Sequence, residues 1–234
     1  MKLTSSPEPL PLAESASPVK LRQGTYIGAT ILSNPDTYPK AVEAYLGIPY
    51  AQSTADQNRF RPAVPVSASD ATFQASAYGH ACLGANSGRP EGEDCLNANV
   101  FRPASPARVA GEVYGVAKAS HLLPVVIYVH GGGFNAGNGG ERNMASFASW
   151  AKDDIVAVSF NYRVGAFGFL PSSLTAREGL LNLGLKDQQA LFAWVQDNIA
   201  AFGGDPQNVT IMGLSAGAHS VRVSTFLRSI MTTV

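Results

Sequence analysis

The stretch Asn208-Val209-Thr210-Ile211-Met212-Gly213-Leu214-Ser215-Ala216-Gly217-Ala218-His219-Ser220 constrains this chain more than any other. Val209 to Met212 is a largely apolar, β-branched run that reads as a strand buried on both faces. It leads straight into Gly213-Leu214-Ser215-Ala216-Gly217. A serine held on a sharp strand-to-helix turn has its neighbours crowded against backbone, so the flanking positions must be small, and Gly213 and Gly217 supply that room. The amide of Ala216 then points to where negative charge would develop, reinforced by the N-terminus of the following helix. Glycine-serine turns are common in loops. Here a strand precedes, a helix follows and a second glycine-rich element lies upstream, which together mark a nucleophile turn.

That second element is His130-Gly131-Gly132-Gly133-Phe134. It follows Val125 to His130, an uninterrupted apolar run that reads as a central parallel strand. Three successive glycines let backbone amides approach a substrate oxygen where a Cβ would obstruct them. Glycine-rich loops also bind phosphate, but no lysine follows at the spacing of a phosphate-binding loop and no GxGxxG is present here. Ile155 to Phe160 reads as the next buried strand, and Phe147 to Ala151 suits a helix. Asp187 to Phe202 is the clearest helix: Ala190, Leu191, Trp194, Val195, Ile199 and Phe202 share one face, and Gly203-Gly204-Asp205-Pro206 stops it. Strands alternating with helices predict an α/β fold on a mostly parallel sheet.

The earlier chain is less regular. Residues 1–18 are rich in Pro, Ser and Ala without periodicity and read as a disordered tail, which places the folded domain at 19–234. Gly24 to Thr30 and Ala41 to Leu46 are candidate strands of an antiparallel edge, divided by the turn cluster Ser33-Asn34-Pro35-Asp36. Proline-punctuated chain after them carries Tyr50 and Phe60 inward. Cys82 and Cys95 bracket a Gly/Asn-rich loop. Oxidised, they would close a ring of roughly 14 residues worth about 3 kcal/mol; reduced, they are two thiols, and both readings stand. Lys+Arg and Asp+Glu number 17 each, so charge favours neither nucleic acid nor an anionic surface. No run approaches a membrane span. The first eleven residues lack the apolar stretch of a secretory signal, which predicts an intracellular chain if Met1 is the true start. The four histidines assemble no metal cluster, and no cofactor is expected.

Glu93-Asp94-Cys95-Leu96, His130 to Phe134, Asn161-Tyr162-Arg163, Asp187-Gln188-Gln189-Ala190-Leu191, Phe202 to Pro206 and Gly213 to Gly217 occur in the order found in type-B carboxylesterases, and the chain resembles the N-terminal portion of that family. The resemblance implies an α/β-hydrolase fold without its C-terminal strands, a small-molecule carboxylic ester as substrate, and frequent secretion. It implies Ser215 as the acyl-accepting nucleophile, with Gly132, Gly133 and Ala216 donating the oxyanion-hole amides. It also pairs Arg59 with Glu93 and Arg163 with Asp187. Two departures stand out: Leu214 occupies a position that is usually Glu or Gln, and Asn97-Ala98 replaces an aromatic and an aliphatic residue. Residues 222–234 show no recognisable family pattern.

A serine hydroxyl needs a histidine base, oriented by an acid, and in this fold both follow the serine. Nineteen residues follow Ser215 and none is acidic. His219, four residues on, reads as a helix residue, His130 as part of the glycine turn, and His80 and His121 as surface loop residues. In the family later strands cover the serine's strand, so a sheet closing on it here would leave that edge open. The expectation is a nucleophile-bearing half of a serine esterase, inactive by itself. The alternative is a non-catalytic remnant or binding module that keeps the fold.

Overall fold

The computed structural model describes residues 10–104 and 122–231, with side chains as far as Ser224. Residues 1–9 and 105–121, His121 among them, lie outside the described residues. Seven strands form one sheet in the order β1 (Leu12–Ser15), β4 (Ala29–Ile31), β5 (Val42–Pro49), β9 (Asn97–Pro103), β11 (Val156–Phe160), β10 (Leu123–Val129), β12 (Gly204–Gly213). A small sheet joins β2 (Val19–Leu21), β3 (Gly24–Ile27) and β6 (Thr72–Gln74), and β7 (Ala81–Cys82) pairs with β8 (Glu91–Gly92). The helices are α1 (Met144–Trp150), α2 (Gly165–Phe169), α3 (Ser173–Arg177), α4 (Leu183–Asn198) and α5 (Ala216–Met231).

The large sheet is mixed. Its parallel part is the trio β11, β10 and β12, while β1, β4, β5, β9 and β11 pair antiparallel in succession. The expected antiparallel edge is β4 against β5, with Ala29 opposite Ala44. Order begins earlier than composition predicts: β1 pairs with β4, Leu12 opposite Ile31, and Ala16 is buried, so the tail reading fails from about residue 12. Low periodicity hides such a strand because an edge strand needs only backbone partners and a few small buried side chains.

Side chains alternate across the sheet, and each face has its own core. Val100, Ile127 and Val158 face α4, where Leu191, Trp194 and Val195 pack with Ile199 and Phe202. Their sequence neighbours Phe101, Tyr128 and Ala157 face the other way, onto Met144, Ala145 and Ala148 of α1. The helix predicted from Asp187 begins at Leu183, behind Asn182 in the left-handed region. Gly184 enables that extra turn, because a Cβ there would press on Arg163 O and the Phe169 ring. The last turn, Ile199–Phe202, tightens to 3-10 geometry and ends at Gly203 with φ 83°.

One polar cluster lies inside the antiparallel half, where sequence periodicity gave no warning of it. Glu43 and Arg102 are cross-strand partners, and both are buried. Arg102 donates Nε to Glu43 at 2.5 Å and a terminal nitrogen to Tyr45 Oη at 2.7 Å. Cys82 and Cys95 form a disulfide, Cα to Cα 5.0 Å, which settles the open question of their pairing. It anchors the loop between them, whose Ala85 O accepts from Gly137 N at 3.2 Å.

Candidate active site

Parallel strands β10 and β12 run side by side, with Val129 opposite Gly213, so the two glycine-rich turns leave the same end of the sheet as neighbours. The carboxyl ends of parallel strands are where α/β folds assemble sites. Ser215 is exposed, with φ 54°, in the left-handed region that non-glycine residues seldom adopt. The turn is tightened by Gly217 N donating to Leu214 O at 2.9 Å, and His219 N donates to Ser215 O at 3.1 Å as α5 begins. Ala216, the first residue of α5, is buried and presents a first-turn amide that has no acceptor within the helix.

Close backbone approach explains the flanking glycines. A Cβ at Gly217 would strike the carbonyl oxygen of Val129 at the end of β10 and come within 2.7 Å of His130 O. On the facing loop, a Cβ at Gly131 would sit 2.7 Å from Leu214 O and 3.3 Å from Ser215 Cβ. The two turns are therefore in direct contact. Gly132 has φ 98° and Gly133 φ 61°, both are exposed, and among the described residues neither N–H has a hydrogen-bond partner. The chain curls back through Asn135 N and Ala136 N, which both donate to Gly132 O at 3.0 Å. The result is an alcohol beside unpartnered, exposed amides, a set of groups chemically able to attack a carbonyl and to receive the negative charge that develops.

His130 supports the loop from beneath. Its ring is fully buried, stacks on Tyr162 with centroids 4.1 Å apart, and donates Nδ1–H to Gly131 O at 2.9 Å. Burial pushes its imidazole below the ordinary histidine pKa. The Tyr162 hydroxyl, pushed up by burial and so held protonated, donates to His130 O at 2.9 Å. That carbonyl lies against Gly217, so Tyr162 braces the seam between the two turns. The Asn161-Tyr162-Arg163 motif carried the signal for this residue, but its role needed the geometry.

The expected arginine–acid pairs both form. Arg163 and Asp187 are buried, and Asp187 accepts from Arg163 N at 3.1 Å, Nε at 2.7 Å and a terminal nitrogen at 2.6 Å. Burial pushes the Asp187 carboxyl up, against the pull of those hydrogen bonds. Arg59 holds Glu93 in an exposed pair, and this hydrogen bonding lowers the Glu93 pKa. Asn97, one of the two departures, is buried and donates to His80 O at 3.1 Å and Cys95 O at 2.9 Å. Beside it, Asn161 donates to the same two carbonyls and accepts from Gly139 N at 2.7 Å. Leu214, the other departure, is exposed next to the serine.

Among the described residues no base is paired with Ser215, and its hydroxyl makes no hydrogen bond; His219 and His80 are exposed, and the His130 ring is sealed against Tyr162. Nor does any group of three His, Cys, Asp or Glu among the described residues offer a metal site. Among the described residues the serine's strand forms the outer edge of the sheet, as expected for a sheet closing on it, and its local pattern of burial on both faces is not realised. Thr210 is exposed and Val209, Ile211 and Met212 are half-buried, whereas every residue of β11 is buried.

Comparison with known proteins places the chain. It is 39% identical over 207 residues to a protein named Secreted lipase 4 of Gibberella zeae, covering 87% of this chain and 35% of that one. It is 37% identical over 193 residues to the para-nitrobenzyl esterase of Bacillus subtilis, covering 79% of this chain and 37% of that one. Among solved structures, a PNB esterase superposes with a TM-score of 0.70 at 36% identity, over 87% of this chain and 39% of that one. Aspergillus niger EstA gives 0.72 at 35% identity, over 87% and 37%. The chain thus spans a little over a third of the length of these relatives. The sequence pattern of the carboxylesterase family matches residues 15–230, so it reaches into the C-terminal stretch in which no pattern was recognised. With the α/β-hydrolase fold and both glycine turns in place, the chain belongs to the carboxylesterase family.

Proposed function

We propose that Ser215 is the acyl-accepting nucleophile of a carboxylic ester hydrolase, and that the N–H groups of Gly132, Gly133 and Ala216 form its oxyanion hole. The reading is carried by the contact of Gly131 with the Ser215 turn, which sets unpartnered amides beside an exposed, strained serine. In the reaction Ser215 Oγ attacks the ester carbonyl, its proton passing to a base and then to the departing alcohol. The negative charge on the carbonyl oxygen is met by the amides, and water later releases the acid from the acyl-serine.

Among the described residues no base is paired with the serine. Oriented triads require a histidine within hydrogen-bond reach of the hydroxyl and an acid behind it. The 234-residue chain is therefore a nucleophile-bearing portion of a serine esterase with little turnover of its own. A fluorophosphonate probe with mass-spectrometric mapping tests this. Labelling close to the level of the Ser215→Ala variant is expected. Fast labelling that Ser215→Ala abolishes would reveal a base inside the chain, and fast labelling at a different serine would overturn the nucleophile assignment.

A further inference from the structure

We propose that Asn208 is an acceptor for an N-linked glycan when the chain passes through the endoplasmic reticulum. Asn208-Val209-Thr210 is the only Asn-X-Ser/Thr triplet in the 234 residues, and its middle residue is not proline. The structure leaves both recognition residues free. Asn208 and Thr210 are exposed, and among the described residues neither side chain makes a hydrogen bond. Buried asparagines elsewhere, such as Asn97 and Asn161, are fully engaged by backbone carbonyls and could not carry a sugar.

Position strengthens the assignment. Asn208 and Thr210 are two residues apart on β12, so they project to one face of that strand. The pairing of β12 with β10 is interrupted after Gly204 and resumes at Val209 opposite Val125, so Asn208 sits at a break in the ladder rather than within it. Ser215 lies beyond the other end of the strand, roughly 23 Å away at the rise of an extended chain. A glycan at Asn208 would thus stand clear of the serine. The Cys82–Cys95 disulfide points to the same route, since such bonds form and persist in oxidising compartments, where N-glycosylation also takes place.

The donor is a lipid-linked oligosaccharyl diphosphate. Asn208 Nδ2 bonds to C1 of the first sugar as the C1–O bond to the diphosphate breaks. The amide gives up one proton to a base of the transferase, and the lipid diphosphate departs with the bonding electrons. No oxidant or reductant is involved.

The proposal is independent of the ester-hydrolase reading and is tested without activity. The full chain is translated behind a cleavable endoplasmic-reticulum leader in the presence of microsomes, and only the protease-protected fraction is scored. One mobility step removable by endoglycosidase is expected, lost in Asn208→Gln and Thr210→Ala, retained in Thr210→Ser and in Ser215→Ala. Glycopeptidase treatment in heavy-oxygen water should convert Asn208 to labelled aspartate. Protected chain with Asn208 unmodified, or a mobility step that survives Asn208→Gln, would overturn the proposal.

Discussion

The Arg163–Asp187 pair ties the loop after β11 to α4, and its removal should be among the most damaging single changes in the fold. Asp187 is wholly buried and accepts three hydrogen bonds from Arg163, one of them from backbone. Asp187→Asn preserves size and one acceptor but leaves a guanidinium that is only 3% exposed without its counter-charge. Removing one partner of a buried pair costs about 3–5 kcal/mol, a large part of the roughly 5–15 kcal/mol available to a folded domain. With a urea slope of about 2 kcal/mol per M, the unfolding midpoint should fall by about 1.5–2.5 M. The remaining bond from Arg163 to Arg61 O, 2.7 Å, softens the loss without supplying charge. Urea titration followed by far-UV circular dichroism and by tryptophan fluorescence reads the shift. The double variant Arg163→Met/Asp187→Leu should recover most of it, because two apolar groups leave no stranded charge. A midpoint change in Asp187→Asn of less than about 0.3 M, or a double variant less stable than either single one, would refute the reasoning.

Other perturbations probe the site and its supports. Gly217→Ala drives a methyl into the Val129 carbonyl, so α5 must move off β10; a loss of about 1–3 kcal/mol or more is expected in chemical denaturation, with Gly217→Ser no better. Reducing Cys82–Cys95, or replacing both by alanine, should lower stability by about 3 kcal/mol and raise hydrogen exchange at Gly137 N, which bonds to Ala85 O inside the closed loop. Burial holds the His130 imidazole below its ordinary pKa, so the unfolded chain binds the proton first as pH falls. Stability should decline with acidification below about 6.5, and His130→Gln should flatten that part of the pH profile of the urea midpoint.

The two glycine turns were legible because their chemistry imposes spacing: Gly213, Gly217 and Gly131 to Gly133 are dictated by backbone approach, which leaves a mark in sequence. The inner strands β10 and β11 and the α4 face were legible for a related reason, since burial on both faces forces apolar runs and one-sided packing forces a helical period. What could not be read depended on neighbours rather than on local pattern. The Leu12–Ser15 strand has no periodicity because it is an edge. Glu43 and Arg102 each resemble an ordinary surface charge until register sets them opposite one another. The open edge and half-buried side chains of Val209, Ile211 and Met212 agree with what the order of strands in the family implied, although the apolar run alone reads the same whether it is covered on one side or two.

The seam where Gly131 meets Leu214 and Ser215, and where Gly217 meets Val129 and His130, makes the alcohol and the amides a single mechanical unit. A shift of either turn presses on the other, so their energetics are coupled. Paired substitutions across the seam should depart from additivity, each partly spending the same rigidity. Tolerance to change on one loop is then set by what the opposite loop has already given up.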